Sequence, residues 1–66
     1  MIIIRFRPHK GVVTVEDEDG AFAFTDVTAV ECEDGLYCFT GRELGSLVDV
    51  KVKADLYIEN PRGSIV

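Results

Sequence analysis

Two cysteines, one histidine and an excess of carboxylates are the residues through which this chain could do chemistry. Cys32 and Cys38 lie six positions apart and His9 is distant from both, which falls short of the paired-ligand spacing of a zinc site. If Asp34-Gly35 closes a hairpin, the two cysteines point to opposite faces, a geometry that disfavours a bridge. They read as reduced thiols packed as small hydrophobes. His9 sits in a turn beside Lys10, with no serine or cysteine placed against it in a defensible strand register. The carboxylates cluster at hairpin tips, where water screens them and leaves their acidity ordinary. No glycine motif that cradles phosphate and no cofactor signature is present, so the sequence points to no enzyme, no metal and no cofactor.

The run Glu16-Asp17-Glu18-Asp19-Gly20 partly matches a helix-flanked calcium loop. With Gly20 as the sixth position, Asp17, Asp19 and Asp26 fall on ligand positions. Val15 occupies the first ligand position and neither flank is helical, so a solvated hairpin tip is the better reading.

Two charged groups suggest binding instead. Arg5, Arg7, Lys51, Lys53 and Tyr57 share the outward parity of their strands. Were those strands adjacent, they would form a basic, aromatic patch of the kind that holds single-stranded nucleic acid. Glu16, Asp17, Glu18, Asp19, Glu31, Glu33 and Asp34 form an opposite, acidic surface. It could imitate a phosphate backbone and occupy a basic partner protein. The net charge of −5 argues against non-specific coating of nucleic acid.

The elements that must position these residues are strands. Residues 48–59 alternate without a break, with Val48, Val50, Val52, Ala54, Leu56 and Ile58 on one face. Residues 1–7 place Ile2, Ile4 and Phe6 on one face. A four-residue turn, Pro8-His9-Lys10-Gly11, then pairs Phe6 with Val13 and Ile4 with Val15. Asp19-Gly20 predicts a type I′ hairpin that pairs Val15 with Phe24, and Asp34-Gly35 predicts another that pairs Cys32 with Tyr37 and Val30 with Phe39. Residues 21–33 read as one bent strand, kinked near Asp26. Residues 41–46 read as a loop with a helical turn, and Asn60-Pro61-Arg62-Gly63 as a closing turn before a short tail.

A straight strand over residues 48–59 would span about 40 Å at ~3.3 Å per residue. A chain of 66 residues packs to a diameter near 28 Å, about 11 Å in radius of gyration. The long strand must bend or pair with another chain. The expected fold is all-β, a single domain over residues 1–66. It is a five- or six-stranded antiparallel meander with long bent strands, curling to a small barrel or roll. Ile3, Val12, Ala21, Ala23, Ala29, Leu36, Cys38 and Tyr57 leave the outer face partly apolar, and so small a core gains from a second copy.

The run Phe24-Thr25-Asp26-Val27-Thr28-Ala29-Val30, followed by Asp34-Gly35-Leu36-Tyr37 and an alternating strand, resembles short all-β accessory proteins of phages and prophages. That resemblance implies a small protein that acts by binding. No apolar run reaches the ~18 residues of a membrane span and no signal peptide is evident, so a complete, cytoplasmic chain is expected. The sequence therefore predicts a non-enzymatic binding or assembly module that forms a homodimer or larger assembly. The alternatives are the acidic inhibitor and the nucleic-acid-binding barrel.

Overall fold

Period-two alternation runs through most of the chain, and strands are what it produces. The structure, a computed structural model, describes residues 1–59. Among them are seven strands and no helix: β1 (Ile3–Arg7), β2 (Val12–Asp17), β3 (Gly20–Phe24), β4 (Glu31–Glu33), β5 (Leu36–Glu43), β6 (Ser46–Val52) and β7 (Asp55–Ile58). They form two sheets, one ordered β3-β2-β1-β7 and the other β4-β5-β6. The expected closing turn at Asn60-Pro61-Arg62-Gly63 lies outside the described residues.

The first hairpin has the expected register, with Phe6 opposite Val13 and Ile4 opposite Val15. At the second, the expected type I′ turn at Asp19-Gly20 does not form, and Val15 faces Phe22 rather than Phe24. The turn sits one residue earlier, at Glu18-Asp19, because the Asp19 N–H donates to Asp17 Oδ1 at 2.7 Å. Gly20 follows with φ 144°, open to glycine alone. The slip is two residues, so every side chain keeps its face. Asp34-Gly35 does form the expected turn, at φ 52° and 79°, and sets Cys32 opposite Tyr37. Cys38 faces Glu31 on the other side of that hairpin.

The expected bent strand over residues 21–33 is two separate strands, β3 and β4. Asp26, at φ 56°, breaks it in a left-handed conformation that aspartate tolerates. Val27 then donates its N–H to Gly11 O at 2.9 Å and buries its side chain in the core. The expected loop and helical turn at residues 41–46 are instead a tight hairpin. β5 and β6 stay paired to Glu43 and Ser46, and Leu44-Gly45 makes the turn at φ 50° and 84°. Leucine is an unfavoured residue for that conformation, which is why the turn is hard to see in the sequence.

The long strand bends, one of the two outcomes its length allows. The molecule has a radius of gyration of 11.1 Å and extents of 27 × 26 × 24 Å. β6 ends at Val52, the chain crosses at Lys53-Ala54, and β7 joins the other sheet beside β1. That pairing is parallel, with Arg5 opposite Tyr57 and Phe6 opposite Ile58. The expectation of a wholly antiparallel meander is corrected here, as is that of five or six strands. Among the described residues no closed barrel forms either: sheet order breaks between β3 and β5, where a single bridge, Thr25 to Arg42, joins the two sheets.

Ile4, Phe6, Val13 and Phe24 from one sheet meet Phe39 from the other and Val27 from the connector, and these are the buried apolar residues among those described. Phe24 and Phe39 pack edge to face, with ring centroids 5.2 Å apart. The even-numbered face of residues 48–58 packs around this cluster, as its alternation demands. Gly41 is where β5 crosses β3: a Cβ there would lie 2.6 Å from Val27 Cγ2 and 3.2 Å from Phe24 Cβ. Only glycine allows that approach.

Candidate interaction surface

The bend at Lys53-Ala54 divides the expected basic patch. Arg5 and Tyr57 do come together: their residues are paired across β1 and β7, and the guanidinium carbon lies 5.7 Å from the ring centroid. Lys51 stays in the other sheet, opposite Cys38, and Lys53 lies in the crossing segment. Three of these cations are already matched. Arg5 Nε lies 3.2 Å from Glu16 Oε1, Arg7 Nε 3.4 Å from Glu59 Oε1, and Lys51 Nζ 3.8 Å from Glu33 Oε1.

The acidic surface is dispersed in the same way. Glu16, Asp17, Glu18 and Asp19 belong to the β2–β3 tip, whereas Glu31, Glu33 and Asp34 belong to the β4–β5 tip of the other sheet. Glu16 and Glu33 hold the cations just named, and Glu18 pairs with the N-terminal amine at 3.1 Å. Such exposed pairs contribute about 0–1 kcal/mol each, but they leave less charge free to attract a partner.

An open groove of about 360 Å³ lies between residues 28–31 and the outer face of β5 and β6. Two pairs of its polar groups bond one another. Thr40 Oγ1 donates to Asp49, and Cys38 Sγ to the Glu31 carbonyl at 3.6 Å. Cys32 and Cys38 are free thiols. His9 is exposed in the turn after β1, and no group of three or more His, Cys, Asp or Glu side chains among the described residues is placed to hold a metal ion.

A more distinctive surface is a strand edge. Among the described residues four strands end their sheets: β3, β7, β4 and β6. β4 is Glu-Cys-Glu, β6 carries Asp49 and Lys51, and β7 begins with Asp55. β3, Gly-Ala-Phe-Ala-Phe, has no charged residue, and all of it but Phe24 is exposed. Phe22 is 50% exposed although it has the inward parity.

The direction of its backbone groups follows from one bridge. Thr25 donates to Arg42 O at 2.9 Å and accepts from Arg42 N at 2.8 Å, so both its polar groups face away from β2. Strand hydrogen bonding alternates, so Ala23 and Ala21 face the same way. The bridge stops at Thr25, and among the described residues the N–H and C=O of Ala21 and Ala23 take no main-chain partner, although the β5–β6 turn follows Arg42 on that side. Their methyl side chains leave room for another backbone.

This edge was missed as a site in the sequence, although one signal of it was there. Residues 20–25 form an uncharged stretch between the acids at 16–19 and Asp26. No helix among the described residues is long and apolar enough to cross a membrane. No protein-family model, no curated protein and no solved structure matches this chain.

Proposed function

We propose that this chain is a non-enzymatic protein-binding module that takes an extended strand of its partner onto the open edge of β3. The observation that carries this is the uncharged edge of β3, with the polar groups of Ala21 and Ala23 turned outward. Strand addition draws its affinity from main-chain hydrogen bonds and its selectivity from alternate side chains, here Ala21 and Ala23 on one face and Phe22 on the other. Binding rather than turnover is also what the resemblance to small phage and prophage accessory proteins implies. The nucleic-acid and acidic-mimic readings draw less support, because their charges are split between two sheets, and three of the four cations and three of the seven acids are paired within the chain.

The test compares tagged wild-type chain with Ala21→Lys in recovering proteins from a lysate, with and without nuclease. A lysine on this edge opposes strand addition, and cross-strand from Glu16 it leaves the fold's stability within about 0.5 kcal/mol. Proteins retained by the wild type should be lost from the variant and unaffected by nuclease. Equal retention by both, or recovery that depends on nucleic acid, sinks the reading.

A further inference from the structure

β5 has an unfilled place in its ladder, on the side away from β6. The two-residue turn at Leu44-Gly45 makes Glu43 and Ser46 a hydrogen-bonded pair, so Gly41 and Phe39 also bond β6. Arg42, Thr40 and Cys38 therefore turn their main-chain groups the other way. There Arg42 exchanges both bonds with Thr25, and Cys38 faces Glu31. Thr40, midway between them, has no main-chain partner among the described residues.

The cause is a mismatch of length. Residues 26–30 join Thr25 to Glu31 across the stretch that residues 39–41 cover on β5. Five residues cannot stay in register with three, so the longer side bows out. Val27 is drawn off to the Gly11 carbonyl and the core, and residues 28–30 make no main-chain hydrogen bond among the described residues. The groove of about 360 Å³ opens at this place, with Thr40 on one wall and Thr28 and Ala29 on the other.

We infer that this groove takes a short extended peptide segment with a basic residue at its centre, whose N–H and C=O complete the ladder at Thr40. An extended residue presents both groups to one side and its two neighbours present theirs to the other. The central residue thus serves Thr40, and the flanking groups face residues 28–30. At ~3.3 Å per residue, Cys38 and Arg42 lie about 13 Å apart, which leaves places for three residues between Thr25 and Glu31.

Charge selects the side chain. Lys51 lies 3.8 Å from Glu33 and Arg42 lies 3.3 Å from Asp26, so the cations beside this place are matched. Glu31 and Asp49 both line the groove, and neither forms an ion pair among the described residues. Asp49 accepts only the Thr40 hydroxyl. A side chain opposite Thr40 shares its outward face with Asp49, the cross-strand partner of Thr40, and with Glu31, two places along its own line. Lysine or arginine meets two unmatched carboxylates there, and an acidic residue meets two like charges. The groove includes neither Ala21 nor Ala23, so this site and the β3 edge stand or fall separately.

The experiment titrates the ¹⁵N-labelled chain with three peptides and follows its amide spectrum and hydrogen exchange. The peptides are acetyl-Ala-Arg-Ala-amide, acetyl-Ala-Glu-Ala-amide, and the arginine peptide N-methylated at the main-chain nitrogen of arginine. In the free chain the Thr40 amide should exchange about tenfold or more faster than those of Phe39 and Gly41, which donate to β6. The arginine peptide should shift the amides of Thr40 and residues 28–31 saturably and slow exchange at Thr40. The glutamate and N-methylated peptides should bind about tenfold or more weakly. Asp49→Asn and Glu31→Gln should each weaken the arginine peptide severalfold and flatten its salt dependence, with the remaining amide spectrum showing that the variants fold. A Thr40 amide already protected in the free chain overturns the inference, as does the absence of saturable shifts by about 10 mM arginine peptide. Equal binding of the glutamate peptide overturns the charge selection, and equal binding of the N-methylated peptide overturns the pairing with Thr40.

Discussion

β3 and β4 are both terminal strands, each joined by a hairpin to a longer neighbour, yet they treat their open edges in opposite ways. β4 is three residues long, has glutamate at both ends, and is followed by Asp34. Shortness and charge are the usual defences of an edge, since both raise the cost of pairing with a foreign strand. β3 is five residues long and carries no charge. One chain applies the defence in one sheet and omits it in the other. The difference teaches that the two sheets of so small a chain need not treat their edges alike. The same sequence had the means to close it.

That comparison can be broken or sharpened by substitution. The largest effect is expected where β3 meets the other sheet. Gly41→Ala puts a Cβ 2.6 Å from Val27 Cγ2 and 3.1 Å from the Thr25 carbonyl. The overpacking should cost roughly 1–3 kcal/mol in denaturant unfolding and loosen the Thr25–Arg42 bridge that ends the free edge. Unchanged stability would show that β5 does not hold β3 in place. Next, Glu31→Thr with Glu33→Thr removes the charge from β4. With uncharged edges on both sheets, each chain should associate at two places and form larger species, visible as a rise in light scattering with concentration. No growth would show that the shortness of β4 protects it without help from charge.

The smallest effect tests the hairpin beyond the bridge. Leu44 is fully exposed, at 101%, and holds φ 50°. Leu44→Asn relieves that backbone strain and should stabilise the isolated chain by about 0.5–1 kcal/mol. In so small a domain this raises Tm by a few degrees, at roughly 4–8 °C per kcal/mol. A fall in Tm would show that the leucine side chain contributes more to the fold than its exposure suggests.

The inward parity of nearly every strand was legible in the sequence, because alternation is local and survives even a slip of two residues, as at Val15 and Phe22. Ile4, Phe6, Val13, Phe24 and Phe39 were placed inside from pattern alone and are buried. Cys32 and Phe22 shared that parity and are exposed, since parity sets direction but not depth. The basic group was legible as residues on outward faces but not as a cluster. Arg5 and Tyr57 meet and Lys51 does not, because the chain bends between them.

The sequence by itself determined that this chain is built of strands, which faces are apolar, where Asp34-Gly35 turns, and that residues 48–59 must either bend or reach another chain. Each of these depends on neighbours within a few residues or on length against volume. Only the tertiary structure decided that β7 runs parallel to β1, that β5 reaches β3 through a single bridge, and that the edge from Ala21 to Ala23 is left open. Alternation satisfies parallel and antiparallel partners equally. Which edges remain unpaired is settled only when the two sheets close on one core.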